Sequence, residues 1–123
     1  MLHNGSWGTV CDDDWTLKEA NVVCRQLGLD QAFSAVQGGV FGEGSGKIWM
    51  DQVKCFGDKR RLSDCSFPGW ERHNCKHSED AGVICMQGNK KICCILKFCF
   101  RVAILLIFSV FNCSVLFCFF FLH

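Results

Sequence analysis

Thr16-Leu17-Lys18-Glu19-Ala20-Asn21-Val22-Val23-Cys24-Arg25-Gln26-Leu27-Gly28 is the stretch on which the fold turns. Thr16 and Glu19, three residues apart, make the capping box that opens a helix: each side chain satisfies a backbone N–H that the first turn leaves without a partner. Gly28 stands where a left-handed residue closes one. Ala20, Val23, Cys24 and Leu27 recur at spacings of three and four and so share one face. The spacing predicts a helix over Leu17–Leu27 with Cys24 turned inward, where a cysteine can tie the helix to a sheet.

Outward from this helix the β-prone segments are short: Trp7–Cys11, Lys47–Val53 and Gly82–Cys85. Ile48, Met50 and Gln52 alternate with Trp49, Asp51 and Val53, a mixed pattern that suits a strand partly covered on both faces. Between Gln37 and Gly46 the five glycines 38, 39, 42, 44 and 46 mean loop. No G-x-x-x-x-G-K-[ST] motif is present, so this glycine run is not a phosphate cradle. Short strands around one helix give a small α+β domain with long loops.

Composition divides the chain. Its 123 residues carry a formal net charge of +1, eleven cysteines and one proline. Six cysteines (Cys11, Cys24, Cys55, Cys65, Cys75, Cys85) precede Lys91; from Ile92 onward Lys97 and Arg101 are the only charged residues. Met1–Cys85 has nine Lys/Arg against all twelve Asp/Glu, a local excess of negative charge. With no basic stripe, nucleic acid is excluded as the main partner. The chain is too short for a Rossmann or barrel enzyme, and four Trp with regular apolar spacing exclude disorder in the first part. Dense cysteine in a small domain points to disulfides and a secreted or luminal setting. Six cysteines can pair in fifteen ways, and spacing does not choose among them. None of the six forms a C-x-x-C pair, which argues against a zinc ribbon or a thioredoxin-like site. The histidines suggest no nucleophile–base–orienter set, so no catalytic residue is expected.

Four segments in order, Trp7-Gly8-Thr9-Val10-Cys11-Asp12-Asp13, Ala20–Gly28, Gly44-Ser45-Gly46-Lys47-Ile48-Trp49-Met50-Asp51 and His77-Ser78-Glu79-Asp80-Ala81-Gly82-Val83-Ile84-Cys85, together resemble the scavenger receptor cysteine-rich domain. The resemblance runs from about His3 to Cys85. It implies a disulfide-stapled α+β fold, a curved antiparallel sheet cradling the one helix, and the pairs Cys11–Cys75, Cys24–Cys85 and Cys55–Cys65. Leu29 stands where the eight-cysteine subgroup has a further cysteine, so the six-cysteine subgroup is implied. Members begin with a strand ahead of the Trp-Gly-Thr motif; here Met1-Leu2-His3 falls inside the second strand. A truncated domain is expected, with a neighbouring strand edge left unpaired.

Asp12, Asp13 and Asp14 follow Cys11, and Glu79-Asp80 follow Cys75. Facing carboxylates repel unless a cation lies between them, and Ca²⁺ takes six to eight oxygen ligands. The resemblance implies a divalent cation held by Asp12, Asp13 and Glu79, and a weaker second site at Asp51 and Asn74, where Gln52 replaces a frequent second Asp. Lys59, Arg60 and Arg61 form a small basic cluster in the Cys55–Cys65 loop, a candidate contact for polyanions. Asn4-Gly5-Ser6 is an N-glycosylation acceptor.

The tail is a separate matter. Val102–Leu122 is apolar apart from Ser109, Asn112 and Ser114, long enough for one membrane-spanning helix, and 87–101 reads as a basic, apolar linker after a domain at 1–86. Lys90, Lys91, Lys97 and Arg101 flank the span on its N-terminal side, which by the positive-inside rule would leave the domain in the cytoplasm, against the disulfides. An upstream signal peptide would reconcile the two, although none follows Met1; a tail translated from T-rich non-coding sequence would remove the conflict. Taken together, the expectation is a non-enzymatic, calcium-assisted, glycosylated extracellular module at a membrane, of scavenger-receptor type, for polyanionic or protein ligands. The alternative is an accessory domain of a larger secreted protease or lysyl-oxidase-like protein.

Overall fold

The computed structural model of the chain describes residues 1–56, 58–95 and 114–115. Among them, the helix α1 spans Leu17–Gln26, one residue shorter than expected because Leu27 serves as its C-cap, and Gly28 follows at φ +73°. Its capping box is present: Thr16 N–H donates to Glu19 Oε2 at 3.0 Å, and the Thr16 hydroxyl meets the same carboxylate. Ala20, Val22, Val23 and Cys24 are buried on its inner side.

Glu19 has a second task that the capping box does not reveal. Its Oε1 accepts the Cys55 N–H at 2.9 Å, and the residue is only 3% exposed. One carboxylate therefore joins the first turn of the helix to the start of the Cys55–Cys65 loop. Glu19→Ala leaves two backbone N–H groups, those of Thr16 and Cys55, without partners. The expected loss is about 3 kcal/mol of unfolding free energy, read as a shift in the urea midpoint; a loss below about 1 kcal/mol would show that water replaces the carboxylate.

Strands β1 (Leu2–His3), β2 (Ser6–Val10) and β4 (Lys47–Met50) form a three-stranded sheet in the order β1-β2-β4. β3 (Ala32–Val36), β5 (Gly82–Gln87), β6 (Lys90–Ile95) and β7 (Ser114–Val115) form the second, in the order β3-β5-β6-β7. This corrects the expectation of a single curved antiparallel sheet. β2 pairs β4 in parallel, Thr9 opposite Ile48, and β6 pairs β7 in parallel. The chain between β2 and β4 runs through α1 and β3, and a crossover of that length lets two strands align in the same direction.

Two hairpins were legible but unread. Leu2 faces Trp7 and His3 faces Ser6 across Asn4-Gly5, both at positive φ (48° and 74°), the residue pair that a tight two-residue turn requires. Gln87 faces Lys90 across Gly88-Asn89. The 87–101 stretch is therefore not all linker: over Lys90–Ile95 it is a strand paired along the full length of β5. Of the apolar run Val102–Leu122 only Ser114–Val115 is described, as strand β7 beside Ile92 and Cys93. Those two residues thus form strand where a C-terminal apolar helix is expected, because β6 offers them an edge of unsatisfied backbone groups. The rest of the run lies outside the described residues, and among those no helix is long and apolar enough to cross a membrane.

The bridges are Cys11–Cys75, Cys24–Cys85 and Cys55–Cys65, the pairs that the resemblance implies, with Cα–Cα distances of 6.2, 5.7 and 4.7 Å. Cys24–Cys85 ties α1 to β5 at the centre of the core, among Val10, Trp15, Val23, Met50 and Val83. Trp15 is buried with its indole N–H on Gly82 O at 2.9 Å. Gly8 is required by packing: a Cβ there would stand 2.5 Å from Trp49 Cδ1.

Candidate functional site

At the end of β2 the chain turns sharply. Cys11 N–H donates to Met50 O, Asp12 N–H to Glu79 O and Trp15 N–H to Asp12 O, at 2.8–3.0 Å. This turn, which puts Asp14 at φ +63°, sets Asp12, Asp13 and Asp14 between the end of β4 and the His77–Glu79 helical turn. Asp51 follows β4 directly. It is 3% exposed, and its Oδ1 accepts the N–H of Gln52, itself at φ +49°.

The ligand atoms of Cys11, Asp13, Asp51 and Cys75 all lie within 4.8 Å of one another. The two sulfurs are joined in a disulfide and are not thiolates, so the metal-binding capacity rests on the carboxylates. Asp13 Oδ2 is 3.7 Å from Cys75 Sγ. Partial loss of hydration raises the Asp13 carboxyl above its ordinary value, and the charges of Asp51, Glu79, Asp12 and Asp14 raise it further. This is the electrostatic signature of gathered acidic groups, of which Asp14 pairs with Lys54 at 3.6 Å.

The residues assigned to two cation sites thus share one neighbourhood. Asp51, set apart from Asp13 in the sequence reading, stands beside it. Asp12 lies next to them, its Oδ2 accepting the Gly38 N–H at 2.5 Å. Glu79 contributes charge to Asp13 while its Oε2 accepts the Lys76 N–H at 2.7 Å. Asn74 is exposed, with Oδ1 3.5 Å from Cys75 Sγ. Loop closure by Cys11–Cys75 brings these segments together, and nothing local in the sequence reports it.

The basic cluster lies elsewhere. Lys59, Arg60 and Arg61 are exposed in the Cys55–Cys65 loop, and Arg61 pairs with Asp64 at 3.5 Å. Arg25 on α1 joins them, donating to Lys59 O at 3.0 Å. Its place in the last turn of the helix was visible, its reach to the loop was not. Asn4 is exposed at the tip of the β1–β2 hairpin. A polar lock also escaped the sequence reading. His77 Nδ1 lies 3.0 Å from Asp80 Oδ2, and its Nε2 lies 3.0 Å from Gly46 O. Asp80 Oδ2 in turn accepts the Gly44 N–H at 2.6 Å, so the glycine-rich loop is pinned to the His77–Glu79 turn.

The family model of the scavenger receptor cysteine-rich domain matches residues 1–86. A scavenger receptor cysteine-rich domain superfamily protein of Patiria pectinifera is 51% identical over 85 residues, 69% of this chain and 8% of that protein. Lysyl oxidase homolog 4 of Mus musculus is 49% identical over 85 residues, 69% of this chain and 11% of that protein. The chain therefore spans about a tenth of the length of these curated relatives. Among solved structures, the dimeric form of the SRCR domain of mouse MARCO superposes with a TM-score of 0.65 at 48% identity, covering 70% of this chain and 81% of that one.

Proposed function

The chain belongs to the scavenger receptor cysteine-rich domain family, whose members are extracellular ligand-recognition modules, and we propose that it acts by binding, holding polyanionic or protein ligands with the help of a divalent cation. The observation that carries this reading is the gathering of Asp13 and Asp51 with Asp12 and Glu79 nearby, and the raised Asp13 carboxyl that results. Hard oxygen donors of this kind suit Ca²⁺, which neutralises the repulsion and keeps coordination positions open for an anionic group. Membrane attachment, in this reading, rests on the sequence of Val102–Leu122 alone. Similarity to lysyl oxidase homolog 4 supports a second reading, in which the same module positions a larger secreted enzyme and contributes no chemistry itself.

Calcium at a hundredfold its dissociation constant is expected to stabilise the folded chain by about 3 kcal/mol, seen as a rise in the thermal midpoint that EDTA reverses. Asp13→Asn and Asp51→Asn each abolish the rise. A midpoint that is the same in calcium and in EDTA overturns the cation part of the proposal.

A further inference from the structure

Lysines and arginines adjoin one another at two places in the chain, Lys59-Arg60-Arg61 and Lys90-Lys91. The fold treats the two differently. Lys90 and Lys91 belong to β6 and pair with Gln87 and Met86 of β5, so their backbone is already committed to a ladder. Lys59 and Arg60 are exposed and lie in neither helix nor strand. Among the described residues no backbone–backbone hydrogen bond holds either of them, and no carboxylate pairs with either side chain. One residue further on the chain is fastened again. Arg61 O accepts the Asp64 N–H at 3.0 Å, and Leu62 is buried with its N–H on Gln26 Oε1 at 2.9 Å. An exposed, unpaired stretch of this kind is where a protease can draw the backbone into its cleft, and two successive cations are what a cleft with carboxylates in its specificity pockets selects.

The bridges decide what a cut there would do. Cys11, Cys24 and Cys55 precede the Arg60–Arg61 bond, and Cys65, Cys75 and Cys85 follow it. Each of the three bridges joins one side to the other, so a cut leaves 1–60 and 61–123 covalently held. We propose that the Arg60–Arg61 bond is a cleavage site for a serine endoprotease specific for paired basic residues, and that the product is a disulfide-linked, two-chain form of the domain. Lys59 and Arg60 fill the two cation pockets of the protease. Water adds across the peptide bond, leaving a carboxylate on Arg60 and a free amine on Arg61, and no other reactant is needed. This goes beyond ligand recognition and does not depend on the cation.

The test is incubation of the folded full chain, its bridges formed, with a subtilisin-type endoprotease specific for paired basic residues. One cut is expected: without reductant the intact mass rises by one water, and reduction then separates 1–60 from 61–123. Arg60→Gln, at an unchanged thermal midpoint, is expected to be cut roughly a hundredfold more slowly, because a buried carboxylate of the protease is left without its cation. Lys90→Gln with Lys91→Gln is cut as fast as the unsubstituted chain. A first cut at any other bond overturns the proposal, as does an equal rate for Arg60→Gln. So does a folded chain that resists the protease while the reduced, unfolded chain is cut after Arg60.

Discussion

Replacing Cys24 and Cys85 together by alanine is expected to lower the unfolding free energy by about 4 kcal/mol, the chain entropy released when a loop of 61 residues is freed. The same substitution at Cys55 and Cys65, which span 10 residues, is expected to take away about 3 kcal/mol. The larger effect has a structural reason as well as an entropic one. Cys24 and Cys85 are both fully buried, at the point where α1 meets the strand that carries both β3 and β6. Truncating them therefore also removes packing from the centre of the core. Urea titration of the two double variants gives the comparison, and equal losses would show that loop length does not set the ranking.

A fall from pH 8 to pH 5 is expected to destabilise the chain with a free Met1 amine by about 3 kcal/mol. Met1 is 1% exposed, its amine donates to Gly8 O at 3.0 Å, and Gly8 N–H returns a bond to Met1 O. Burial lowers the pKa of this amine from its ordinary 8.0 to about 5. The unfolded chain therefore takes up a proton below pH 8 that the folded chain refuses until near pH 5. Stability is full above pH 8, declines through the interval and is lowest below pH 5. Protonation of Asp13, whose carboxyl is raised, acts in the opposite sense, so the experiment needs a control. A chain with one glycine added before Met1 has an amide at that nitrogen and is expected to lose the dependence. If both chains respond alike, the amine is not its source.

How far the sequence carried the reading depended on whether the signal was local. The helix was legible because Thr16, Glu19 and Gly28 act within a few residues of one another, and so was the inward face of Cys24. The Asn4-Gly5 and Gly88-Asn89 turns are equally local, and the first leaves Asn4 exposed at its tip. The parallel pairing of β2 with β4 depends on contacts across nearly forty residues, and no pattern in either strand announces it. The acidic site divides the same way. That Asp12, Asp13 and Glu79 carry the charge was readable, whereas the nearness of Asp51 to Asp13 exists only after the chain has closed. Glu19 shows the limit most clearly, since its role as a cap hides its bond to Cys55.

The spacing of the two long bridges also sets the order of events while the chain is being made. Cys11 and Cys24 wait for partners 64 and 61 residues downstream. At about 5–20 residues per second, synthesis of that interval takes roughly 3–12 seconds. During that time the two N-terminal cysteines are free thiols thirteen residues apart, with only each other and Cys55 or Cys65 available. The central strand β5, which receives α1, β3 and β6, is among the last parts of the domain to emerge. Until Cys75 emerges, oxidation of Cys11 or Cys24 can therefore produce only wrong pairs, and a correct outcome depends on an environment that delays their oxidation or exchanges disulfides until Cys75 and Cys85 have appeared.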